Sequence, residues 1–558
     1  MAKKRTKKKQ NKKPQKVIGT KVGSKKSSES QSGGQSRIVG AALLGIIVFI
    51  LIAGVYILQP LLFPLEDEQL AGQTPGMKMT RSFRSGRLTI AWDSISPKAL
   101  KLVSTKGKSN IAPSDYVGPS KCEACHQKNH QNWSEHPHRW MNALANEESV
   151  IGDFSGKKTI SYRGGVGTFY RKGDDYRMKY EKEGLLREYR ITQTIGSRFY
   201  QYYVGVGLQG PEAESHSYYY RDFVLPFGYW IDREEWVPIV HITEELDENH
   251  RWETAEQLTV PENFAAEIES SEEASGSRGV SVRDAELGLV YASSCNYCHT
   301  TFSFGDMMVR LPKVLGESLT EDAFLELSEY VAESHPSQYD GSAPPEDFGD
   351  EQLGQMTESF IKFDARDKAV SLGVSCEACH LGCREHVEKP KEVKPSFSPQ
   401  HPNFHTAKEL ETSGVAANVN AACARCHVGN RPKFAAGMAT WNSTEYSDAM
   451  QGSCYSELTC VHCHDPHKAT GKVWAKTPEQ DDASCIHCHS QYKAPEFRAS
   501  HTHHQPGSSG DRCMNCHMPK INEGMQDVVR THAIFSPTHA GMIEENQPNA
   551  CNLCHLDK

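Results

Sequence analysis

The amino-terminal segment of the chain almost lacks acidic side chains. Residues 1–37 contain thirteen lysines and arginines but a single acid, Glu29, so this segment has a formal charge of +12. Apolar residues are scarce in its opening stretch MAKKRTKKKQNKKPQK, which excludes a packed core there. By difference from the net charge of −8, the rest of the chain carries −20. The sequence therefore predicts a disordered basic tail followed by an acidic remainder.

Residues 38–58 lack charged side chains altogether. The stretch IVGAALLGIIVFILIAGVYIL runs for 21 residues, and as a helix it spans about 30 Å, enough to cross the hydrocarbon core of a bilayer. No A-x-A cleavage site follows it, and it is longer than the apolar region of a signal peptide, which disfavours cleavage. We therefore predict a retained transmembrane anchor over residues 38–62 and a linker over residues 63–115.

The basic tail sets the predicted orientation of this anchor. Segments rich in lysine and arginine stay on the cytoplasmic side of a membrane, so residues 1–37 become a cytoplasmic tail. The sequence thus predicts a single-pass protein of the cell inner membrane whose main part is periplasmic. Nucleic-acid or ribosome binding is the alternative for the tail. The acidity of the remainder predicts no nucleic-acid partner for the exported part.

Cysteines outside one repeated pattern are nearly absent. The chain has 18 cysteines, and all but two belong to eight copies of C-x-x-C-H, numbered here one to eight in chain order. Their cysteines are Cys122, Cys125, Cys295, Cys298, Cys376, Cys379, Cys423, Cys426, Cys460, Cys463, Cys485, Cys488, Cys513, Cys516, Cys551 and Cys554. Their histidines are His126, His299, His380, His427, His464, His489, His517 and His555.

The C-x-x-C-H pattern is typical of covalently bound c-type haem. Two thiols three positions apart can bond to one porphyrin, and the histidine that follows becomes the proximal ligand of its iron. Structural zinc is the alternative for C-x-x-C pairs, but zinc does not require a histidine after every second cysteine. Attachment of haem c takes place outside the cytoplasm, in agreement with the predicted orientation. We therefore predict eight haem c groups with the eight motif histidines as proximal ligands.

Each haem iron has a second axial position, and of the 26 histidines in the chain, eighteen remain for it once the eight proximal ligands are set aside. Bis-histidine ligation closes the iron and suits electron transfer, whereas an enzyme needs one open haem. The variant C-x-x-C-K, which would mark an open site, is missing. A histidine just after a motif typically ligates a neighbouring haem. The candidate distal ligands are His138 (or His136), His386, His405 (or His401), His467, His504 (or His501 or His503) and His532.

The longest stretch without a motif separates motifs one and two. It alternates apolar and polar residues around residues 182–184, which signals a hairpin, and it is rich in aromatic residues. We predict a β-rich insert over about residues 155–245, inside a haem-free segment of residues 151–291 that ends in an acidic linker. Motif one lies in a first haem segment, residues 116–150, and the other motifs form a seven-haem domain, residues 292–558. The predicted fold class is a multihaem cytochrome c of mainly short α-helices and loops packed around haems.

Several motif segments resemble multihaem cytochromes of the nitrite-reductase/hydroxylamine-oxidoreductase superfamily, which includes the tetrahaem acceptor of hydroxylamine oxidoreductase. YVGPSKCEACHQKNHQNWSEHPHRWM looks like their first haem segment. GVSCEACHLGCREHV and LTCVHCHDPH are similar to two further segments. The resemblance spans residues 116–558 and implies closely packed haems in a chain, with His386 and His467 as distal ligands. The superfamily contains both carriers and enzymes.

The two cysteines outside the motifs are Cys383 and Cys454. Cys383 stands where the resembled cytochromes have glycine, so haem attachment does not need it. Both cysteines would lie in an oxidising compartment, and we predict a disulfide between them. A free thiol or a thiolate ligand to iron is the alternative for each.

Electron relay is the function that these features predict: a membrane-anchored octahaem cytochrome that connects respiratory partners, including a quinol-oxidising membrane complex. One alternative is an oxidoreductase with one five-coordinate haem that acts on a small nitrogen or sulfur compound. Another is a structural subunit of a respiratory complex, or a homo-oligomer. Because the exported part is acidic, we expect it to dock to basic patches of its redox partner proteins.

Overall fold

The computed structural model describes the chain from within the predicted linker onward, with gaps. The predicted tail, the anchor and the acidic linker lie outside the described residues. Across the part that is described, every helix is too short or too polar to cross a membrane. Apart from short internal gaps, the described ranges are residues 81–85, 88–92, 103–239, 291–310, 323–343, 364–406, 415–428, 433–468 and 477–556, with a few residues between 347 and 360.

The helices of the described ranges are short, as predicted, and none exceeds ten residues. In chain order they are α1 (Pro119–Glu123), α2 (Gln127–Ser134), α3 (Asn296–His299), α4 (Phe304–Arg310), α5 (Leu327–Ser334), α6 (Ala365–Lys368), α7 (Cys376–His380), α8 (Arg384–Glu388), α9 (Val415–Ala424), α10 (Glu445–Ala449), α11 (Pro478–Ile486), α12 (Pro495–Thr502), α13 (Cys513–His517), α14 (Ala540–Glu544) and α15 (Ala550–Cys554).

The strands concentrate between motifs one and two. In chain order they are β1 (Arg81–Ser85), β2 (Leu88–Trp92), β3 (Val103–Ser104), β4 (Asn142–Leu144), β5 (Ser155–Tyr162), β6 (Gly165–Lys172), β7 (Asp175–Lys182), β8 (Leu185–Ile195), β9 (Tyr200–Gln209), β10 (Phe223–Val224), β11 (Phe227–Trp230), β12 (Glu235–Pro238), β13 (Thr300–Thr301), β14 (Ala323–Leu325), β15 (Ser371–Leu372), β16 (Phe404–Thr406), β17 (Lys520–Gly524) and β18 (Asp527–Arg530).

The predicted β-rich insert is present as one antiparallel sheet. Its order is β12-β11-β9-β8-β7-β6-β5, with β10 added on β9 and β4 on β8. The hairpin expected around residues 182–184 joins β7 to β8, because Lys182 pairs with Leu185. Gly184 has φ +79°, a left-handed conformation that glycine adopts without steric cost. The end that we predicted near residue 245 lies outside the described residues.

Aromatic side chains fill the core of the insert. Phe154, Phe169, Tyr203, Phe227 and Trp236 are all buried in one cluster. The Phe169 and Trp236 rings stack with centroids 3.4 Å apart. Alternating residues of β6, β7 and β8 point into this cluster, as expected for strands buried on one face. The insert therefore has a hydrophobic core of its own.

The carboxy-terminal part has a smaller apolar core. Among its described residues, the one separate cluster consists of Met438, Ala533, Phe535 and Met542. The remaining sheets are short hairpins or small patches, such as β17 on β18 and β14-β16-β3. Leu381, directly after motif three, joins a larger apolar cluster that also contains Ile111, Val309 and Phe404. The described segments that carry motifs four to eight are therefore held by few aliphatic contacts, and polar contacts between the motifs matter more there.

Candidate haem-binding sites

Each C-x-x-C-H motif forms one turn of helix. In motifs one, two, four, five, six and eight, the histidine N–H donates to the carbonyl oxygen of the first cysteine at 2.8–3.3 Å. In motifs three and seven, the whole motif is helical, as α7 and α13. Positions i, i+3 and i+4 of a helix share one face. Both cysteines and the histidine of each motif therefore lie on the same side of their turn.

Six motif histidines face a histidine from outside any motif. The ring centroids in these pairs are 6.0–6.4 Å apart. The pairs are His126–His386 at motif one, His380–His467 at motif three, His427–His138 at motif four, His464–His532 at motif five, His517–His501 at motif seven and His555–His504 at motif eight.

This spacing fits an iron bound between the two rings. A metal–nitrogen bond of about 2.0 Å on each side, plus about 1 Å from each nitrogen to its ring centroid, separates the centroids of a bis-histidine site by about 6 Å. A direct stacking contact would be closer, as in the pair His136–His138, whose centroids are 4.5 Å apart. The residues present at the six pairs thus fit haem c, with covalent attachment through the motif cysteines.

Burial keeps several of these imidazoles neutral. It lowers the pKa of His138 to about 3, and neighbouring histidines add to the effect. Burial likewise lowers the pKa of His380 to about 4, with His467, His126 and His386 nearby. A neutral imidazole has the free lone pair that metal ligation needs.

The backbone around Gly373 positions His138. The Val374 N–H donates to the carbonyl oxygen of His138 at 2.8 Å, and the Trp133 indole N–H donates to the carbonyl oxygen of Val374 at 2.9 Å. A Cβ on Gly373 would lie 2.1 Å from the carbonyl oxygen of Arg139, and φ is +75°. Only glycine fits there, so the segment before motif three holds the partner of the motif-four histidine.

One segment supplies the partners of two motif histidines. His501 lies on α12 and faces His517, whereas His504 lies just beyond the helix and faces His555. Between them, His503 has φ +58° and ends the helix in a left-handed conformation. The chain therefore turns between the two histidines and directs them to different motifs. We selected His504 from this segment, and the structure adds His501.

His405 is not placed as a haem ligand, contrary to our prediction. It lies on β16, where its Nε2 is 2.6 Å from the Glu326 carboxylate. The alternative His401 is also engaged, because its Nε2 lies 3.4 Å from a Glu333 carboxylate oxygen. His405 belongs to the small sheet β14-β16-β3, and His401 precedes its strand β16. Their segment, HPNFH, looked like a ligand segment only because histidines are common near the motifs.

Two motif histidines face no histidine among the described residues. His299 of motif two is half-buried, and its Nδ1 is buried without a hydrogen-bond partner. His489 of motif six is exposed. His241 and His250 lie outside the described residues. Motifs two and six therefore differ from the other six in the part of the chain that the structure describes.

The insert forms a wall at motif two. Its outer face carries a second apolar cluster, in which Tyr200, Tyr202 and Val204 of β9 pack near Tyr291. The half-buried Cys295 of motif two packs against the same cluster. Aromatic residues of the insert thus contribute both to its own core and to the surroundings of one motif.

Cysteines of different motifs are close neighbours. The side chains of Cys122 and Cys376 lie next to each other and bring motifs one and three together. The same contact joins three further pairs of motifs. These pairs are two and four through Cys298–Cys426, four and five through Cys423–Cys460, and six and seven through Cys485–Cys513.

A buried carboxylate in motif three binds the segment just before motif one. Glu377, inside motif three, is 1% exposed. It accepts hydrogen bonds from the backbone N–H groups of Val117 and Gly118, just before motif one, and of Cys383. Burial raises the pKa of Glu377, although these bonds oppose the shift. Sequence patterns gave no sign of this role, because Glu377 occupies a variable position of its motif.

The predicted Cys383–Cys454 disulfide is not formed. Both residues are free thiols, and Cys383 is buried. The Cys383 Sγ lies 3.4 Å from the carbonyl oxygen of Leu381, and its backbone N–H is bound to Glu377. Cys454 starts a turn in which its carbonyl oxygen accepts from Glu457 and Leu458. The prediction rested on elimination of the motif cysteines, and elimination does not place two residues near each other.

Helix α10 connects the ligands of motifs four and five. Its first residue, Glu445, lies 2.8 Å from the Nδ1 of His427. One turn later, the buried Asp448 accepts from the N–H of His532 at 2.6 Å and from the Thr531 hydroxyl at 2.5 Å. Burial disfavours the charge of Glu445, but the neighbouring His427 outweighs it and lowers the pKa of this carboxyl to about 2.

Comparison with known proteins gave two similar solved structures. No family model and no curated protein matches the chain. The first structure, the outer cell wall cytochrome OcwA, is 13% identical, with a TM-score of 0.37, over 80% of this chain and 84% of that one. The second, the octahaem sulfite reductase MccA of Wolinella succinogenes, is 17% identical, with a TM-score of 0.30, over 76% of this chain and 59% of that one.

Proposed function

We propose that the chain is a multihaem c-type cytochrome that binds up to eight haem c groups and relays electrons between them. The observation that carries the proposal is the set of six histidine pairs, each with one motif histidine and the spacing of a bis-histidine iron site. When bound, haem c supplies one-electron redox chemistry. At these six sites a motif histidine and its partner would hold the iron from both sides, an arrangement that suits electron transfer.

The contacts between motifs favour a continuous route. Motif one adjoins motif three through the cysteine pair described above. Motif three adjoins motif four, because the Arg425 guanidinium donates to the carbonyl oxygen of Ala378 at 2.9 Å. Motif four adjoins motifs two and five. Motif five reaches the segment after motif seven through His532, and motif seven adjoins motifs six and eight. The motifs thus follow one another in the order one, three, four, five and seven, and the route continues from motif seven to motifs six and eight.

Both ends of this route lie near the surface. The motif cysteines classed as exposed are Cys125 of motif one, Cys488 of motif six, and Cys551 and Cys554 of motif eight. The other motif cysteines are half-buried. An electron relay needs exposed ends to exchange electrons with partners, and this arrangement has them.

The setting of the relay follows from the sequence. We propose that residues 38–62 anchor the protein in the inner membrane and that the haem-binding part is periplasmic, where it exchanges electrons with a quinol-oxidising membrane complex or a soluble redox protein. The acidic exported part favours partners with basic patches, and rates of reduction should fall as salt rises.

A matched pair of histidine variants tests the relay. Replacing His386 by alanine removes the partner of His126, so one low-spin haem should become high-spin and bind carbon monoxide. The control His405→Ala removes a histidine that is bound to Glu326 instead, and all low-spin haems should remain. The proposal fails if the two variants give the same spectrum, or if the wild-type protein contains no covalent haem.

One observation favours a second function at motif two. His299 faces no histidine within the described ranges, and burial lowers its pKa to about 4. Without a second histidine, an iron held by His299 would keep a free coordination position, and we propose that a small nitrogen or sulfur compound binds there. In this case the relay would deliver electrons to motif two or collect them from it.

Carbon monoxide binding to the wild-type protein tests this second function. A single high-spin haem that binds carbon monoxide and is lost in His299→Ala would support it. Replacement of His241 and of His250 serves as the control, since either could close the site from outside the described residues. A wild-type protein whose haems are all low-spin and bind no ligand would rule the second function out and leave the relay intact.

A further inference from the structure

Three hydrogen bonds fix Glu445 and the start of α10 relative to His427. Its Oε2 accepts a hydrogen bond from the His427 Nδ1 at 2.8 Å. Its Oε1 accepts from the backbone N–H of Ser443 at 3.0 Å. The next residue, Tyr446, donates its N–H to the carbonyl oxygen of His427 at 3.0 Å. The start of α10 is thus tied to both the ring and the backbone of the motif-four histidine.

Other ligand histidines have a neutral group in the same place. The Nδ1 atoms of His386, His504 and His517 contact the backbone carbonyl oxygens of Val393, Thr502 and Phe535 at 2.6–2.8 Å. A carbonyl oxygen orients an imidazole ring but carries no full charge. Glu445 performs the same orientation with a carboxylate, so the two kinds of contact differ mainly in charge.

A carboxylate on the outer nitrogen makes an imidazole a stronger electron donor. Charge-assisted hydrogen bonds are shorter and stronger than neutral ones, and a carboxylate partner raises the basicity of a ligating histidine. A more basic ligand stabilises the oxidised iron more than the reduced iron. The negative charge itself acts in the same direction, because it lowers the energy of the more positive state.

We propose that Glu445 is a positioning residue that lowers the reduction potential of the haem held by His427, relative to haems whose ligands contact carbonyl oxygens. The inference rests on the proposed function, since it requires a bis-histidine haem at motif four. Motif four adjoins motifs two, three and five. Glu445 therefore sets the potential at the junction where electrons pass along the relay or divert to motif two.

The test is a redox titration of the purified holoprotein, followed by optical and EPR spectroscopy, with Glu445→Gln. Glutamine keeps the hydrogen bond but removes the charge. We expect one haem midpoint to rise by at least the equivalent of a tenfold change in its redox equilibrium, about 59 mV for one electron. Glu445→Asp, which keeps the charge, should lie closer to the wild type and also shows whether the site tolerates substitution.

The control is Glu326→Gln, which removes the same charge from the Glu326–His405 pair. That pair has the same chemistry and a similar distance, 2.6 Å, but it contains no motif histidine. No midpoint should move in this variant. Equal titrations of Glu445→Gln and the wild type, with all haems bound, would overturn the inference and leave the proposed function standing. A wild-type protein without haem would overturn both.

Discussion

The insert and the motif-bearing segments are built by different means. The insert, β4 to β12, buries fifteen apolar side chains in one cluster of its own. The described segments that carry motifs four to eight bury few aliphatic residues. Carboxylates, arginines and paired histidines join these segments to one another and to motif three. Glu377, Arg425 and Asp448 are each no more than 4% exposed, and each links segments distant in sequence. One region has a core made of protein, and the other has polar links around positions that suit haem.

From this difference we infer which region needs haem for its stability. A sheet with an aromatic core gains its stability from apolar burial. Buried carboxylates stabilise the fold only when all their hydrogen-bond partners are in place, because an unsatisfied buried polar group destabilises it. Haem attachment would supply the apolar surface that the second region lacks. We therefore expect the two regions to respond differently to loss of haem and to core mutations.

The largest effect should come from preventing haem attachment. Expression without the haem-attachment machinery should leave residues 364–556 sensitive to protease, while the insert, residues 142–238, stays resistant. Limited proteolysis with mass spectrometry checks this. Equal cleavage of the two regions would show that the insert also needs the haems.

Phe169→Ala should destabilise the insert without destabilising the haem-binding region. Phe169 is fully buried and stacks on Trp236, and truncation of such a side chain costs about 3–5 kcal/mol. Tryptophan fluorescence should report earlier melting of the insert, while the haem absorbance transition stays unchanged. Leu185→Ala serves as the control because Leu185 is 56% exposed. A haem transition that moves with the fluorescence would contradict the division.

Asp448→Asn should destabilise the haem-binding region and leave the stability of the insert unchanged. Asp448 accepts three backbone N–H groups and the Thr531 hydroxyl, so loss of its charge should cost about 2–3 kcal/mol. It should also disturb the His464–His532 pair, visible as a change in one low-spin EPR signal. Asp367→Asn, at an exposed position of α6, is the control. An unchanged spectrum would mean that His532 does not depend on this carboxylate.

Glu188→Gln should have the smallest effect, confined to the acid side of the insert's stability. Burial opposes ionisation of Glu188, but hydrogen bonds from Tyr170 and Arg177 outweigh it and lower the pKa of this carboxyl. A lowered folded pKa adds stability that is present above the unfolded value, about 4.3, and is lost as the pH falls through the folded value. Fluorescence melts between pH 3 and 7 should therefore show a shallower acid decline in the variant. If the stability of the variant and of the wild type declined equally toward low pH, this role of Glu188 would be refuted.

Local patterns in the sequence predicted the local structure well. The alternation around residues 182–184 gave the β7–β8 hairpin, and the aromatic strands gave the insert. The rule that a histidine just after a motif serves a neighbour agrees with the placement of His386 opposite His126 and of His467 opposite His380. These features depend on residues close in sequence or on a fixed spacing.

Contacts between distant segments could not be predicted in the same way. His405 lies between two motifs, as other candidates do, but Glu326 on another segment engages it. Elimination suggested the Cys383–Cys454 bridge, yet the two thiols have different neighbours. Glu445 and Asp448 occupy ordinary positions of a short helix, and nothing in their spacing shows that they contact His427 and His532. Such contacts arise from packing, which spacing alone does not encode.

Counting the low-spin haems is the most direct test of the six histidine pairs. EPR and near-infrared magnetic circular dichroism of the fully oxidised holoprotein distinguish bis-histidine haems from other ligation. We predict at least six bis-histidine low-spin haems among those that the eight motifs bind. Fewer than six, or a majority with another axial ligand, would contradict the pairing of motif histidines with His138, His386, His467, His501, His504 and His532.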